Sequence, residues 1–561
     1  MNPAALFPEE HRTNPVISCS RVIPVILLLL AIAVLPAGAS ALTVNTVWDD
    51  TCVPFEQNNE TAYNEKILAS FAPVAANTTP VADYRNLSWS RAFISLNQLM
   101  KERYAFTRWR AVDFDGLNRT WAPAIANAGE QQDRAAYYRA LRGYLFAIPD
   151  GHVNVLSQSG DFGAKDADIG GGFGFALVQL DSGEVAVSYV ANGSAAEKAG
   201  VSPGDTVTAW NNREVHEAIN ATPHIWATKK PSTEEGIRLQ KTRLLSRAPV
   251  GTQASVTVSS GSGSRSLDLT ASDDGYDTLK KSTFFLGKEI NDIGAANPMT
   301  DIRPQFGGDE VTTRILPGGY TYIAVYEESY SVYQPFKAAV LNAVANKSPG
   351  MVIDLRFNGG GEDELASCMA GWFVDNPEFY EYTSMYDPGT RTFTPISELW
   401  TRPQPTRFTG PVAVIVSPDS LSSGEGIPLV FAKSGRGAIV SWYGTNGAFG
   451  MNGMQAVMPL DLYILFPAGA SLDEKGKIQV DSNASRTGGV APTVRVPLNR
   501  ETVARAMAGE DVQLTYAMAW LDEQQSPATT ATPATPTQKA AAGMVAVLGA
   551  IGTVALLSKR K

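Results

Sequence analysis

Three short segments, far apart in the chain, hold the residue types that acyl transfer requires. Asp150-Gly151-His152 offers a base, the segment from Ser420 to Glu425 offers hydroxyl nucleophiles, and the segment from Leu355 to Gly361 ends in three glycines. A nucleophile, a base that accepts its proton and backbone N–H groups that stabilise an oxyanion are the parts of such a reaction. No segment is specific alone, but the three together predict covalent catalysis by a serine.

The residues alone leave the choice of nucleophile open. Four serines cluster here, at Ser417, Ser420, Ser422 and Ser423. A turn after a buried strand would expose one of these hydroxyls, and the following N–H would lie at a helix start. The alternative is that Ser420 to Ser423 merely cap the helix that follows them.

The elements that position these segments alternate between strands and helices. Met351 to Leu355 and Val412 to Val416 are apolar runs without alternation, and each is followed by a chemical segment. Such runs are typical of strands buried on both faces of a sheet. Residues 333–345 and 362–374 have helical spacing of apolar side chains. We therefore predict an α/β layer, with partly parallel strands, over residues 312–505.

Two further units are predicted before this layer, which makes the fold class α+β and multidomain. Residues 62–150 carry apolar side chains at helical spacing and predict a helical cap that leads into His152. Residues 168–271 alternate short apolar strands with glycine-rich turns, including the run Ala199-Gly200-Val201-Ser202-Pro203-Gly204-Asp205.

Within the second unit, Gly172, Phe173, Gly174 and Phe175 form a glycine loop that enters an apolar strand. Free N–H groups in such a loop can bind a terminal carboxylate, and the strand edge can bind a peptide by strand addition. A phosphate-binding turn is the generic alternative. Residues 168–271 resemble a PDZ domain, which implies a small β-barrel with these four residues as its peptide-binding loop.

The order of all these features resembles the carboxyl-terminal-processing peptidases of family S41, and within them the tricorn-like branch. The resemblance spans roughly residues 63–500 and ends at Gly489-Val490-Ala491-Pro492. It implies a serine peptidase core of the ClpP/crotonase-like α/β type. In the family the nucleophile stands three residues before a glutamate that opens a helix, which here selects Ser422 before Glu425.

The resemblance also implies His152 as the catalytic base. Bacterial relatives use a lysine downstream of the serine, but Lys433 comes only one helix later and residues 434–474 contain no lysine. His216 and His224 fall in the PDZ-like region, where solvated surface positions explain them better. An imidazole suits a group that acts first as a base and then as an acid.

The oxyanion donors implied by the resemblance are the backbone amides of Gly359, Gly360 and Ser423. Which of the two glycines points inward stays open, and a tight strand-to-helix turn accounts for the same residues.

The third catalytic group departs from the family pattern. Where the tricorn-like branch has an acidic residue, this chain reads Ser485-Arg486-Thr487-Gly488, and Thr493 stands where an aspartate is common. Asp481, slightly upstream, is the nearest candidate to orient His152. A turn-forming aspartate is the alternative interpretation of Asp481.

The two ends of the chain predict export and anchoring. Residues 1–41 contain the apolar run from Val22 to Pro36 after a basic flank, which indicates a cleavable signal peptide or, alternatively, an uncleaved anchor. Residues 524–538 form a Ser/Thr/Pro stalk, and residues 540–557 are apolar over the length of a transmembrane helix. This tail resembles archaeal surface-protein anchors and predicts a location at the extracellular face of the cell membrane.

Composition limits the partners. The 561 residues carry a formal net charge of −10 without a basic block, so nucleic acid is not expected. No Cys or His pair has metal-ligand spacing, and we expect neither a metal nor a cofactor. Protein or peptide substrates are expected, while the substrate's identity and the oligomeric state stay open. The rival hypotheses are a catalytically weak peptide-binding scaffold and, less well supported, a lectin or adhesin.

Overall fold

The structure is a computed structural model, and it describes residues 82–157, 159–261, 263–286 and 311–525. All structural statements below concern these ranges. They contain a helical unit, a mainly antiparallel β unit and an α/β unit, and the mixed helix-and-sheet architecture predicted from the sequence is confirmed.

The first unit is helical. Its elements are β1 (Ala82–Asp83), α1 (Trp89–Arg103), α2 (Phe114–Gln131), α3 (Arg134–Phe146) and β2 (Asn154–Ser157). Asp113 and Asp133 precede α2 and α3, and each side chain accepts a free backbone N–H of the first turn. The helices bury a core with many aromatic side chains, including Tyr104 and Tyr144. The Asp150-Gly151-His152 segment therefore begins just after a rigid helix end.

The second unit is built from short antiparallel strands. Its elements are α4 (Ala164–Ile169), β3 (Gly171–Gly172), β4 (Phe175–Gln179), β5 (Val185–Val190), α5 (Ala195–Lys198), β6 (Thr206–Trp210), β7 (Arg213–Glu214), α6 (Val215–Ala221), α7 (Glu234–Leu245), β8 (Arg247–Ala248), β9 (Gln253–Ser260), β10 (Gly263–Thr270), β11 (Ser272–Asp273) and α8 (Asp277–Lys281).

These strands form open sheets. One has the order β10-β9-β6-β5-β4, with β7 paired to β6, and the other has the order β11-β3-β8. Strand β4 is the edge of the first sheet. Among the described residues no barrel closes, so the PDZ-type β-barrel predicted for residues 168–271 is not shown.

The third unit contains the α/β core. Its elements are β12 (Val311–Ile315), β13 (Thr321–Val325), α9 (Tyr330–Ala345), β14 (Met351–Asp354), α10 (Asp363–Ala370), β15 (Glu378–Asp387), β16 (Thr392–Thr401), β17 (Val412–Ile415), α11 (Gly426–Ser434), β18 (Ala438–Ser441), β19 (Asn452–Met458), β20 (Leu462–Pro467), β21 (Gly469–Leu472), β22 (Val494–Arg495), α12 (Arg500–Met507) and α13 (Val512–Gln525).

The central sheet has the order β12-β13-β14-β17-β18-β22, and all its pairs are parallel except β12 with β13. Alternate residues of β14 face opposite layers. Ile353 lies in the cluster that includes α9, α10 and α11, whereas Val352 lies in the cluster that includes α12 and α13. Burial on both faces explains why the sequence of these strands is continuously apolar.

A second sheet joins the helical unit to this core. Its order is β1-β19-β20-β2, and Val155 of β2 pairs with Ile464 of β20. Because β2 follows His152 by one residue, this pairing fixes the histidine segment against the α/β unit.

The predicted features at both ends of the chain lie outside the described residues. These are the signal peptide at 1–41, most of the stalk at 524–538 and the apolar segment at 540–557. Within the described ranges, we find no helix with both the length and the apolar character needed to cross a bilayer. This finding contradicts the predicted membrane anchor and location at the extracellular face of a membrane, which we withdraw.

Candidate active site

Two neighbouring strand ends bring the glycine and serine segments together. Strands β14 and β17 are parallel and adjacent, and their last residues, Asp354 and Ile415, are register partners. The segments that follow therefore leave the same edge of the sheet. In parallel α/β sheets, this carboxyl edge is where ligands bind.

Hydrogen bonds distinguish Ser422 from the other serines of the cluster. Ser417 Oγ donates to Arg356 O at 2.6 Å, Ser420 Oγ donates to Leu355 O at 2.8 Å, and Ser423 Oγ donates to Gly361 O at 2.8 Å. The hydrogen bonds of these three side chains link the serine turn to the glycine segment.

Ser422 is half-buried, and no hydrogen bond of its hydroxyl is found among the described residues. Its backbone has φ +58°, a left-handed conformation that costs a non-glycine residue about 1–2 kcal/mol. Its N–H donates to Ala448 O at 2.9 Å, which holds the turn in place. A strained turn with an unengaged hydroxyl is the arrangement that a serine nucleophile needs.

Gly360 lies directly against this turn. It has φ +92°, and a Cβ built on it would lie 2.5 Å from Ser422 Cβ and 3.0 Å from Ser423 N. Only glycine leaves room for this approach.

The backbone amides of the predicted oxyanion site differ in whether they already donate a hydrogen bond within the protein. Gly360 N–H donates to Asn358 Oδ1 at 2.8 Å, and Gly359 N–H donates to Tyr326 O at 3.2 Å. Both glycine amides therefore already have internal acceptors in this conformation. The Ser423 amide, at the start of the short helical turn from Ser422 to Glu425, lies beside Gly360.

The histidine segment reaches the serine turn through Gly151. A Cβ on Gly151 would lie 2.8 Å from Leu421 Cδ1 and 3.2 Å from Ala448 Cβ. Leu421 precedes Ser422 in the chain, and Ala448 O accepts from Ser422 N. Gly151 N–H donates to Ser232 Oγ at 2.7 Å. Gly151, one residue before the predicted base, therefore lies against Leu421, one residue before the predicted nucleophile.

His152 is buried and lies beside Asp150. Its backbone N–H donates to Asp150 Oδ1 at 2.9 Å, whereas its Nδ1 atom is buried without a hydrogen-bond partner among the described residues. Burial lowers the pKa of His152, and Asp150 opposes this shift. A lowered pKa keeps the imidazole neutral, as a base must be.

Asp481 is buried in the same region, but it contacts Arg110. Its Oδ1 accepts from Arg110 Nη2 at 3.0 Å and from Phe449 N at 3.1 Å, and its Oδ2 has no donor in the described chain. Burial raises the pKa of Asp481 to about 8, with Arg110 acting in the opposite direction. We find no hydrogen bond between Asp481 and His152 in the described residues.

Arg110 links Asp481 to the histidine segment. Its Nε lies 3.4 Å from Asp150 Oδ2, which also accepts from Tyr104 Oη at 2.6 Å. Burial alone would raise the pKa of Asp150, but Arg110 and His152 hold it below its ordinary value. The Asp150–Arg110–Asp481 chain thus places a fixed negative charge beside His152.

Glu425 fastens the strand-end loop that carries Ala448. Its Oε1 accepts from Gly447 N at 2.8 Å and from Thr445 Oγ1, and its Oε2 accepts from Ala448 N at 3.0 Å. Ala448 O in turn accepts from Ser422 N. Glu425 therefore stabilises the serine turn through Ala448. Burial raises the pKa of Glu425 to about 7.

Two lysines near these elements, Lys433 and Lys230, donate to backbone carbonyls. Lys433 Nζ donates to Phe379 O and Tyr380 O at 3.2 and 3.0 Å, and the buried Lys230 Nζ donates to Leu145 O and Val153 O. The carbonyl contacts give each ammonium a structural role.

The predicted peptide-binding loop lies in the second unit and is buried. Gly172 pairs with Ser272 and with Arg247, and Phe173 N donates to Ser246 O at 3.3 Å. Phe173 and Phe175 are 2% and 0% exposed, so their side chains belong to the core of this unit. In this conformation the loop is covered by its own chain.

Part of the sequence matches a known protein family. Residues 319–496, about a third of the 561 residues, match peptidase family S41. The chain contains an S41 serine peptidase domain. The matched region includes Ser422, Gly360 and Asp481, while His152 lies before it. No curated protein sequence matches the chain.

The solved structures that are similar to this chain have low sequence identity to it. Mature CPAF has 12% sequence identity and a TM-score of 0.51, and the alignment covers 78% of this chain and 98% of that one. The photosystem II D1 C-terminal processing protease has 19% identity and a TM-score of 0.33, over 76% and 98% of the two chains. The tricorn protease has 15% identity and a TM-score of 0.36, over 78% of this chain and 37% of its own.

Sequence reasoning missed several residues of the peptidase site. Arg110, Ser232 and Asn446 contact the histidine segment or its neighbours, and Ser232 Oγ donates to Asn446 Oδ1 at 2.7 Å. No local pattern identifies them, because they lie 42, 80 and 294 positions from His152 along the chain. Arg110 stands among other charged residues, including Arg108 and Asp113, so its own segment does not single it out.

Proposed function

We propose that this S41 peptidase is an endopeptidase that cleaves proteins or peptides through an acyl-enzyme on Ser422. The observation that carries this proposal is the strained Ser422 turn, whose hydroxyl has no acceptor among the described residues while the neighbouring serines are engaged. The geometry supports this choice independently of the sequence resemblance.

In the proposed reaction, Ser422 Oγ attacks the scissile carbonyl carbon while His152 accepts the hydroxyl proton. The C–N bond then breaks, the leaving amine takes the proton from His152, and an ester remains on Ser422. Water attacks this ester with His152 again as base, which releases the carboxylic acid and restores the serine hydroxyl.

The backbone amide of Ser423 is proposed as an oxyanion donor because it lies at the turn beside Gly360. The Gly359 and Gly360 amides would take part only after releasing Tyr326 O and Asn358 Oδ1. One missing donor is worth about 10²–10³ in kcat. We propose that the loop rearranges in this way when substrate binds.

Asp481 is proposed to act on His152 indirectly. Arg110 binds both Asp481 and Asp150, and Asp150 accepts from the His152 backbone N–H. Asp481 is then a positioning residue that holds Arg110, and Asp150 supplies the charge that favours the imidazolium.

The second unit is proposed to bind an extended substrate segment, as the PDZ resemblance implies. Strand β4 is the edge of its sheet, and a free edge can pair with a peptide strand. The loop from Gly172 to Phe175 would need to be uncovered before it could hold a carboxylate.

The proposal is tested with the full chain and an unfolded protein substrate, with fragments identified by mass. We expect cleavage by the wild type and by Ser485→Ala, an exposed serine control, and loss of cleavage in Ser422→Ala and His152→Ala. A fluorophosphonate should form an O–P bond with Ser422 and release fluoride. Unchanged cleavage by Ser422→Ala would overturn the assignment.

One observation favours a second candidate, a weakly catalytic peptide-binding scaffold. His152 Nδ1 has no carboxylate partner among the described residues, unlike the base of a complete catalytic triad. A scaffold would bind peptides but return them intact and would leave Ser422 unlabelled by the fluorophosphonate.

A further inference from the structure

A group of acidic side chains includes two that contact the serine turn and the glycine segment. Its members come from the loop after β13, the start of α10 and strand β15: Glu328, Glu362, Asp363, Glu364 and Glu381. We call these five residues the acidic cluster. The proposed reaction uses none of them.

Two members of the acidic cluster contact the catalytic turns directly. Asp363 Oδ1 accepts from Ser423 Oγ at 2.8 Å, one residue from the proposed nucleophile. Glu328 Oε1 accepts from Asn358 Nδ2 at 2.7 Å, and Asn358 Oδ1 in turn holds the Gly360 amide. The cluster therefore borders the scissile position.

The acidic cluster lacks a balancing cation. Among the described residues, none of its five carboxyl groups makes an ion pair. Lys433 favours the charged form of Glu381, but its ammonium donates to the carbonyls of Phe379 and Tyr380. Grouped carboxyls without a cation carry a desolvation cost that a bound cation would relieve.

A buried polar atom of the acidic cluster is also unsatisfied. Glu328 is 1% exposed and its Oε2 atom has no hydrogen-bond donor in the described chain. The fully buried Tyr380 hydroxyl interacts with Asp363, and the charges of Asp363, Glu381 and Glu328 act on it. An unsatisfied buried atom such as Glu328 Oε2 indicates that a group is missing.

The pKa values of two carboxyl groups in the acidic cluster are raised, as expected for grouped carboxyls without a cation. Burial, followed by the charges of Glu362 and Glu381, raises the pKa of Glu364 to about 7. Burial raises the pKa of Glu328 to about 8. Each carboxyl would ionise more readily if a positive group entered the cluster.

The acidic cluster is accessible from the catalytic side. Gly359 and Gly361 are exposed, and Glu362 and Glu364 are partly exposed beside them. Lys229 also stands near the glycine turn, since its Nζ lies 3.5 Å from where a Cβ of Gly359 would be.

We propose that the acidic cluster is a substrate subsite that binds a basic side chain, lysine or arginine, next to the scissile bond. A guanidinium or ammonium on a flexible stem would reach past Glu362 and Glu364 toward Asp363 and supply the missing donors. Among the described residues, no three acidic, histidine or cysteine side chains converge closely enough to hold a metal ion, so an organic cation is the better fit. The subsite rests on the proposed peptidase function.

The test uses fluorogenic peptides that differ only at the residue before the scissile bond and, separately, after it: arginine, lysine, glutamine or glutamate. We expect kcat/KM for the arginine or lysine peptide to exceed that for glutamine about tenfold or more at one of these positions. Glu364→Gln and Glu362→Gln should reduce this ratio severalfold, whereas Glu130→Gln, an exposed control on α2, should keep it. Equal or greater cleavage of the glutamine peptide would overturn the subsite.

The failure of the subsite is separable from the failure of the peptidase proposal. Binding of the uncleaved peptides to the Ser422→Ala chain, measured by fluorescence anisotropy, does not require catalysis. If no peptide is cleaved by the wild type but the arginine peptide still binds more tightly than the glutamine peptide, and Glu364→Gln removes the difference, the subsite stands. Equal affinities in that experiment would reject it.

Discussion

Gly360 and Ser422 are in such close contact that a Cβ on Gly360 would lie 2.5 Å from Ser422 Cβ. The same Cβ would lie 2.8 Å from Leu421 O and 3.0 Å from Ser423 N, which are backbone atoms that cannot move aside alone. The glycine run and the serine turn are therefore one structural unit, although 61 positions separate Gly360 from Leu421.

Gly360→Ala should destabilise the fold and displace the nucleophile. The added methyl group and the positive φ together should lower the free energy of unfolding by about 1–3 kcal/mol, as overpacking does. Gly359→Ala is the matched control, because Gly359 is exposed and meets only Lys229 Nζ, at ordinary contact distance. Denaturant unfolding of both variants measures the difference, and equal stabilities would contradict the close packing.

Ser422 should be replaced by glycine at a lower cost in stability than by alanine. Alanine keeps the strain of φ +58°, whereas glycine adopts this conformation freely. We expect Ser422→Gly to be more stable than Ser422→Ala by about 1 kcal/mol. Both variants should lack peptidase activity, so thermal unfolding is the measurement. A more stable alanine variant would show that the turn is not strained.

The sequence indicated where the glycine and serine turns lie because each follows a continuous apolar strand. Met351–Asp354 and Val412–Ile415 are buried on both faces, and such strands leave a continuous apolar run in the sequence. The order of the segments then carried the resemblance to family S41, which the matched region at 319–496 supports.

Other parts could not be predicted because they depend on tertiary contacts. The orientation of Gly360's amide is decided by Asn358 Oδ1, and the position of Asp481 is decided by Arg110, from a helical unit 371 positions away. The burial of Gly172 results from its pairing with Arg247 and Ser272. The predicted membrane location depended on the C-terminal tail alone. It is wrong by the finding that no helix of the described residues is long and apolar enough to cross a membrane.

Asp481→Asn should change how stability depends on pH. The pKa of Asp481 is raised to about 8, so the folded state holds a proton that the unfolded state releases near pH 4. This contribution to stability is complete below the unfolded pKa and is lost as the pH rises toward 8. Because asparagine does not titrate, the stability of wild type relative to Asp481→Asn should fall between pH 5 and pH 8.

Thermal unfolding of the wild type and Asp481→Asn at matched pH values measures this difference in stability. Asp473→Asn is the control. Asp473 lies at the start of the exposed turn after β21, and its substitution controls for the general effect of replacing an aspartate by asparagine. A wild-type advantage that instead grows with pH would show that Asp481 is ionised in the folded state.

Glu425→Gln should reduce activity by disturbing the loop that holds Ser422. In glutamate, one carboxylate oxygen accepts from Gly447 N and the other from Ala448 N. Glutamine replaces one of these oxygens by an NH2 group, so one of the two buried N–H groups is left without an acceptor. An unsatisfied buried group costs about 1–3 kcal/mol. The displaced Ala448 O then holds Ser422 N less well, and kcat/KM should fall while the exposed control Glu474→Gln keeps its activity. Fluorophosphonate labelling rates and denaturant unfolding separate the two effects.

The activity of the peptidase should persist at pH values below the ordinary pKa of histidine. Burial lowers the pKa of His152, so the imidazole stays neutral and able to accept a proton below pH 6.5. We expect the acidic limb of kcat/KM for an uncharged peptide to have its midpoint below 6.5. An uncharged substrate is needed because Glu364 titrates near pH 7 and would alter the binding of a basic one.

Asp150→Asn provides the matched variant for the role of His152. The charge of Asp150 raises the pKa of His152, so its removal should move the midpoint to still lower pH and also reduce kcat/KM, because the imidazolium loses its counter-charge. Circular dichroism at each pH verifies that the chain is folded where activity is lost. A midpoint above 6.5 in the wild type, or an upward shift in Asp150→Asn, would show that a group other than His152 is the base.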